Sequence, residues 1–335
     1  MKTADFEYLL PSELIADYPL AEKEACNLEV VDRSNKTLDH RKFYNIIDYL
    51  NPGDVLVLNN TKVIPARLYG SAQNRDNIEI LLLEKKDSKV WSCLMKNPKD
   101  GLVLNIDKGL SARIHKEKSG EIILEFNNEI DGYIDQNGFM PLPPYIKRKP
   151  EQSDRVNYQT IYAKYKGSVA APTAGLHFTD SLLQKIIDKG VLIEYVTLHV
   201  GYGTFKPVKS ENVEQHHMHR EYFELKKQTS EKINNAKSKG YKVLAVGTTS
   251  LRTLESCVNS YGELESKKGT TDLFIYPGYE FKIVDSLITN FHMPRSTLFM
   301  LVCAFAGRDF MTEAYEEAKK EGYRFLSYGD AMIIL

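Results

Sequence analysis

The chain has 335 residues and a formal net charge of -1, with 42% hydrophobic and 27% charged residues. This length accommodates two domains, and the near-neutral charge excludes a protein that coats nucleic acid through a global basic field. The four cysteines form no CxxC pair, no apolar signal segment opens the chain, and the longest apolar run (298–306) is too short to span a membrane, so we expect a reduced, cytoplasmic protein.

Residues 67–140 consist of short β-like runs that are separated by polar turns, without helical patterns between them. This pattern predicts an all-β unit, most simply a small barrel. The flanking segments, 1–66 and 141–335, predict an α/β domain into which the barrel is inserted. Four prolines within 141–150 predict a stiff, extended return to that domain.

The segment 169–179, VAAPTAGLHFT, is nearly free of charge and combines small residues with hydroxyl groups and a histidine. It runs directly into an amphipathic helical pattern. Such a segment is poor material for a core, and it is suited to a wall that a polar ligand approaches closely. We therefore expect it to line a ligand site.

The C-terminal half repeats one pattern three times, in which a helix is followed by a glycine and a strand. Glycine just past a helix end is the expected left-handed cap, and the series predicts a largely parallel sheet. The second helix is expected to begin at Thr229 or Ser230. The predicted helices are 181–189, 229–239 and 312–321, and the predicted strands are 191–201, 242–247 and 323–329.

Polar residues follow two of the predicted strands, which is where open α/β sheets bind ligands. The run GTTS at 247–250 begins a helix that also carries Arg252, which favours an anion site over an ordinary capped junction. Two strands around a Pro-Gly turn are predicted in 272–290, and Asn290, His292 and Arg295 follow them. Ser296 or Thr297 is the expected cap of the next helix.

Three other segments leave alternatives open. His199 precedes a GxG that lacks the third glycine of a dinucleotide fingerprint, and it is either a core histidine or a functional one. His216, His219 and Glu221 have a spacing that a metal site could use, but no further ligand completes a set, so an RNA-facing or solvated surface is the competing interpretation. Basic residues alternate with tyrosines in 141–166, which fits either RNA contact or a solvated loop.

From the residues alone, the chain is a cofactor-free transferase or hydrolase with a large anionic substrate. Beyond this, it resembles the S-adenosylmethionine:tRNA ribosyltransferase-isomerase family of queuosine biosynthesis over essentially its whole length. The motifs that carry the resemblance include VAAPTAGLHFT, TLHVGYGTFKPV, EQHHMHRE, VLAVGTTSLRTLES, TNFHMPRSTL and YRFLSYGDAMIIL. The resemblance implies an α/β domain with an inserted six-stranded β-barrel.

The resemblance also implies a reaction. The ribosyl part of S-adenosylmethionine is moved onto the 7-aminomethyl-7-deazaguanine base at the tRNA wobble position and isomerised. The product is epoxyqueuosine-tRNA, and adenine and methionine are released. S-adenosylmethionine is then a consumed substrate, no cofactor or metal is implied, tRNA is the partner, no membrane is involved, and a monomer is the default expectation.

Site residues follow from placing this chemistry on the motifs. The base candidates are His177, our first choice, and His199 and His292. Candidates for binding the substrate are Arg252 and Arg295 for anions, Phe178, Tyr276 and Phe291 for stacking, and Thr173, Thr248, Thr249 and Asn290 for hydrogen bonds. The tRNA-binding candidates are Lys147, Arg148, Arg155, Tyr158, His216 and His219.

The loop 19–31 departs from the family pattern. Lys23 and Glu24 replace an Arg-Asp pair, Cys26 replaces a serine, and Asn27 replaces an arginine, so we exclude this loop from the predicted site. The barrel segment 96–107 also matches poorly. Two functions from other classes compete: a non-catalytic tRNA-binding protein, and a metal-dependent hydrolase built on His216, His219 and Glu221.

Overall fold

The computed structural model describes residues 1–72, 75–205 and 207–335. In this part of the chain, nine strands form one mixed sheet. They are β1 (Asn27–Asp32), β2 (Thr37–Lys42), β3 (Val55–Asn59), β12 (Leu192–Leu198), β13 (Glu221–Leu225), β14 (Val243–Val246), β15 (Lys267–Thr271), β16 (Ser286–Asn290) and β17 (Ala331–Ile334). Their order across the sheet is β15-β13-β12-β3-β14-β16-β17-β1-β2. A two-stranded parallel sheet pairs β4 (Thr61–Val63) with β11 (Tyr165–Ser168).

The remaining strands close into a barrel with the order β10-β7-β6-β5-β8-β9. They are β5 (Arg67–Ala72), β6 (Arg75–Lys85), β7 (Val90–Met95), β8 (Val103–Asp107), β9 (Leu110–Lys116) and β10 (Ile122–Phe126). An α/β fold with an inserted six-stranded β-barrel is thereby confirmed. The predicted domain limits at 67 and 140 enclose these strands and stay a prediction.

The helices are α1 (Asp131–Asn137), α2 (Asp154–Asn157), α3 (Asp180–Asp188), α4 (Lys227–Ser238), α5 (Gly247–Glu255), α6 (Thr297–Ala306) and α7 (Arg308–Lys320). The short α1 lies within 67–140, where no helix was predicted. The predicted cap of α6 is present, because the Ser296 hydroxyl accepts a hydrogen bond from the Phe299 amide at 3.1 Å. Within the described residues, no helix has both the length and the apolar character needed to cross a bilayer.

The repeated helix–glycine–strand pattern is correct for α3 and α4. Gly190 and Gly240 follow these helices with φ of 89° and 82°, and β12 and β14 come next. The predicted start of α4 is wrong, because this helix begins at Lys227 and the Thr229 hydroxyl donates to Glu194 instead of capping the helix.

Two strand predictions are also wrong. Residues 323–329 form a loop and the strand is β17, because the Asp330 carboxylate accepts backbone hydrogen bonds from Asn27 and Arg324 at 3.0 and 2.7 Å and so bends the chain. No strand covers 272–276, where β15 has already ended at Thr271.

The sheet is parallel only in part. The pairs β12–β3, β3–β14, β14–β16 and β17–β1 are parallel, whereas β16–β17, β1–β2, β12–β13 and β13–β15 are antiparallel. Every residue of β3, β14 and β16 is buried, as expected for central strands that are covered on both faces. This centre fixes the positions of the strand ends that carry polar residues.

Glu29 in β1 is a buried acid, and neither of its carboxylate oxygens has a hydrogen-bond partner among the described residues. Burial, assisted by the charge of Glu317, raises the pKa of Glu29 to about 8. The folded state thus favours the protonated form. Its stability should fall as pH rises from the unfolded value of Glu29 through its folded value.

We therefore expect Glu29→Leu to raise the free energy of unfolding at pH 8 by about 2–4 kcal/mol, with little gain at pH 5. Urea denaturation of both proteins at the two pH values measures this difference. An equal effect at pH 5 and pH 8 would mean that ionisation of Glu29 does not limit stability.

Candidate functional site

A cleft of about 840 Å³, including space open to solvent, lies at the carboxyl ends of β14 and β16. Its walls are largely apolar, and its described lining residues include no Lys, Arg, Asp or Glu. The lining side chains with hydrogen-bonding groups include Thr173, Thr248, Thr249, Thr289, Asn290, His292, Thr204 and Ser327.

The start of α5 forms one side of this cleft. β14 ends at Val246, and Gly247 turns the chain with a φ of 83°, which favours glycine. Thr248 and Thr249 follow at the helix N-terminus, where backbone N–H groups and the helix dipole favour electron-rich ligand atoms. The Thr249 hydroxyl accepts from the Asn59 amide at 3.1 Å, which leaves its own proton available for donation.

Asn290 organises the opposite side of the cleft. Its Nδ2 donates to the backbone carbonyl of Asp330 at 3.2 Å and to His177 Nε2 at 3.0 Å. The carbonyl fixes the orientation of the amide, because only the NH₂ group can donate to it. The Thr173 hydroxyl donates to Asn290 Oδ1 at 2.8 Å, so the oxygen of Thr173 remains as an acceptor.

His177 lies behind Asn290 and does not line the main cleft. Its Nε2 accepts from Asn290, and its Nδ1 lies 3.1 Å from the Cys26 thiol. Burial, assisted by the charge of Arg324, lowers the pKa of His177 to about 3. Because its basic nitrogen is occupied and faces protein, this placement does not support our first choice of base.

His292 does line the cleft. One ring nitrogen, Nε2, lies 2.9 Å from the Thr289 hydroxyl, and Nδ1 has no hydrogen-bond partner among the described residues. The backbone of His292 is held by the hydroxyl groups of Tyr8 and Tyr315. Burial lowers the pKa of His292 to about 3, so the imidazole is neutral at physiological pH.

His199 lies outside the cleft. Its Nδ1 is 2.8 Å from the Thr61 hydroxyl, and its ring stacks on Tyr222 with centroids 5.3 Å apart. Partial burial lowers the pKa of His199. Of the two roles that the sequence left open for His199, these contacts favour that of a structural histidine.

Arg252, which we predicted to bind an anion, forms a buried ion pair with Glu221. Its Nε also donates to the carbonyl of Leu273 at 3.0 Å. Glu221 in turn accepts from the Gly201 amide at 2.9 Å and the Thr204 hydroxyl at 3.2 Å. The pair therefore holds the loop through which Thr204 reaches the cleft.

Arg295 is also engaged elsewhere. Its Nε lies 2.7 Å from the carboxylate of Glu7, both side chains are about half exposed, and Arg295 is outside the described cleft lining. The expectation that it meets a ligand anion in this cleft is therefore not supported.

The three aromatic residues predicted to stack on a ligand present no ring to the main cleft. The Phe178 and Phe291 rings are fully buried, against Phe43 and Phe325 respectively. Phe291 borders the cleft, but its ring is inaccessible because it points into the core. Tyr276 packs against Phe274, with centroids 5.0 Å apart, outside the cleft.

Most of the residues in 141–166 that we predicted to bind tRNA make contacts within the protein. Arg148 forms a two-point ion pair with Asp154, at 2.8 and 2.6 Å. Arg155 donates to three backbone carbonyls at the end of α1 and just beyond it, and Tyr158 is fully buried, so neither is free to meet RNA. Lys147 is exposed.

The segment 214–221, which carries His216 and His219, lies mostly at the surface. His219 is exposed, and His216 is half-buried, with its ring edge-on to Phe274 at 5.3 Å. Glu221 is committed to Arg252, and among the described residues no cluster of three or more metal-binding side chains occurs. The hydrolase alternative thus has no preformed ligand set in this part of the chain.

The sequence analysis missed several lining residues. Thr289 precedes Asn290 in the same motif, and the pattern of polar residues at a strand end could have identified it. Thr204 and Ser327 belong to the motifs TLHVGYGTFKPV and YRFLSYGDAMIIL, but no pattern in the sequence indicated that these two residues reach the cleft. The excluded loop 19–31 contributes Lys23 and Cys26 to a second, smaller cleft beside His177.

Comparisons with known proteins agree on one family. The model of a family described as queuosine biosynthesis protein matches residues 3–334. Proteins named S-adenosylmethionine:tRNA ribosyltransferase-isomerase are 51% identical in Sulfurihydrogenibium (100% of both chains) and 51% identical in Finegoldia magna (100% of this chain, 98% of the relative). A crystal structure of S-adenosylmethionine tRNA ribosyltransferase from Thermotoga maritima is 41% identical, covers 99% of this chain and 100% of its own, and has a TM-score of 0.57.

Proposed function

The chain belongs to the queuosine biosynthesis protein family, and from this premise we propose how its main cleft carries out the S-adenosylmethionine:tRNA ribosyltransferase-isomerase reaction. S-adenosylmethionine donates its ribosyl group to the 7-aminomethyl-7-deazaguanine base at the tRNA wobble position. The ribosyl group is isomerised, adenine and methionine leave, and epoxyqueuosine-tRNA is the product.

The observation that carries this proposal is the combination of hydrogen-bonding groups with an absence of charged side chains in the described cleft lining. A sulfonium donor is a cation, so a cleft lined by Lys or Arg would repel it. A neutral, partly apolar cleft instead admits both the sulfonium group and a purine ring.

His292 is the base in this proposal. It faces the cleft with a ring nitrogen that has no partner among the described residues, and its imidazole is neutral, although the burial that lowers its pKa also makes it a weaker base. Since Nδ1 has no hydrogen-bond partner in the described part of the chain, it takes the proton next to the sulfonium centre. The bond between Nε2 and Thr289 holds the ring in place during this step.

The two sides of the cleft have complementary hydrogen-bonding roles. Thr249, with the N-terminus of α5, donates hydrogen bonds to the departing adenine and stabilises the negative charge that develops on it. Thr173 supplies an acceptor, because its proton is already shared with Asn290. A ribose hydroxyl is the donor that suits this oxygen.

The protein acts without a metal or a resident cofactor in this proposal, as a cytoplasmic monomer. Elemental analysis of purified protein tests the first point, because a stoichiometric metal would favour the hydrolase alternative. Light scattering of the purified chain tests whether it is a monomer.

The function is tested by incubating the protein with S-adenosylmethionine and tRNA that carries the aminomethyl base. We expect adenine and methionine in equal amounts, together with the modified nucleoside in the tRNA. Formation of S-adenosylhomocysteine would indicate a methyltransferase. Binding of tRNA without consumption of S-adenosylmethionine would indicate the non-catalytic alternative.

A further inference from the structure

A second cleft of about 240 Å³, including space open to solvent, lies on the other side of the segment Thr173–His177. Thr173 and Ala174 line the main cleft, whereas Leu176 and His177 line the second one. Ser327 contributes to both. The second cleft is therefore separated from the main one by a single turn of chain.

The two clefts differ in charge. The second contains Lys23 and Arg324, whereas the described lining of the main cleft has no charged side chain. Lys23 is half-buried, and burial alone lowers its pKa. The guanidinium of Arg324 donates to the backbone carbonyl of Tyr18 at 3.2 Å. Among the described residues, neither cation forms an ion pair.

The carboxylates around this cleft are engaged elsewhere. Glu24 accepts from the Thr179 hydroxyl, and Asp330 is buried and accepts backbone hydrogen bonds from Asn27 and Arg324. Asp154 pairs with Arg148 and also accepts from the hydroxyl of Tyr328, at 3.2 Å. Within the described residues, no carboxylate therefore pairs with Lys23 or Arg324.

Two partly desolvated cations in a concave site favour an anionic oxygen ligand. We propose that Lys23 and Arg324 bind an anionic group of a substrate in the second cleft. This rests on the proposed function, because both substrates carry such a group: the donor has a carboxylate, and tRNA has phosphates. It also assigns a role to the loop that departs from the family pattern.

The proposal is tested by measuring substrate binding of two single variants, Lys23→Met and Arg324→Met. A third variant, Lys23→Arg, preserves the charge. Lys239→Ala is the matched control, because Lys239 is an exposed lysine at the end of α4. We expect each Met variant to weaken binding of one substrate by about 10- to 100-fold, as for a lost hydrogen bond to a charged group. Lys23→Arg should restore most of the affinity, and Lys239→Ala should behave as the wild type.

Equilibrium binding separates the two sources of the anion. Weaker binding of S-adenosylmethionine in the absence of tRNA identifies the carboxylate. Weaker tRNA binding with a smaller salt dependence identifies a phosphate. If both Met variants keep the wild-type melting temperature and bind both substrates normally, the proposal is overturned. Failure of the proposed function would appear separately, as absence of adenine release by the wild type.

Discussion

Replacing His292 by alanine is expected to lower kcat by about two to four orders of magnitude, which is the usual contribution of a general base. Of the three histidines considered, His292 is the one that lines the main cleft, and its Nδ1 has no partner among the described residues. The measurement is the rate of adenine release at saturating S-adenosylmethionine and tRNA. The binding of both substrates should change little.

Two variants control for a structural role. His292→Asn keeps a hydrogen-bonding side chain beside Thr289 but removes the base, so it should be as inactive as the alanine variant. His199→Ala removes a histidine outside the cleft and should retain most of the activity. If His292→Ala turned over normally while a folded His177→Ala variant did not, His177 would be the base after all.

The same assignment predicts the pH profile. Burial lowers the pKa of His292 to about 3, so its proton-accepting form is fully present from pH 5 upwards. We expect kcat/KM to show no loss attributable to this group between pH 8 and pH 5. An acidic limb near pH 6.5 that disappears in His292→Asn would show that the imidazole is not desolvated in the working enzyme.

Replacing Arg252 by alanine is expected to destabilise the protein by about 3–5 kcal/mol, because it leaves the buried carboxylate of Glu221 without its partner. Loss of the pair should also loosen the loop at Gly201 and Thr204, which Glu221 holds. Urea denaturation at pH 7 measures the change in stability.

Arg295→Ala is the matched control, because Arg295 forms a half-exposed ion pair with Glu7. Pairs of this kind contribute about 1 kcal/mol or less. The double variant Arg252→Leu, Glu221→Leu removes both buried charges and should recover part of the lost stability. Equal losses in Arg252→Ala and Arg295→Ala would contradict the structural role assigned to the buried pair.

The sequence predicted the structure correctly where the pattern involves residues that are close together in the chain. Helical spacing and a terminal glycine identified α3, and polar residues at strand ends identified Thr248, Thr249 and Asn290, which the structure brings together in the lining of the main cleft. The alternation of β-like runs and polar turns identified the barrel unit. Each of these patterns depends on residues that are adjacent in the chain.

The sequence did not predict the role of a side chain correctly where its partner lies far along the chain, or where the side chain points away from the cleft. Arg252 was predicted to bind a ligand, but Glu221, 31 residues earlier, neutralises it. Nearer in the chain, Arg148 pairs with Asp154, six residues later. Phe291 directly follows Asn290, yet its ring points into the core, because successive residues of an extended chain face opposite sides.

The departure of the loop 19–31 from the family pattern carries no information on where the loop lies in the fold. The predicted site excludes the loop, and the fold brings its Lys23 beside His177 and Arg324. The proximity depends on the packing of this loop against Thr173–His177, which no local pattern encodes. A residue that differs from its family can therefore still line a cleft.

The central claim is that the main cleft binds S-adenosylmethionine, and a crystal structure of the complex tests it most directly. We expect density for the ligand at the carboxyl ends of β14 and β16, with the adenine near Thr248 and Thr249 and the sulfonium group near His292. Density for the ligand on the barrel, with the main cleft empty, would contradict the account.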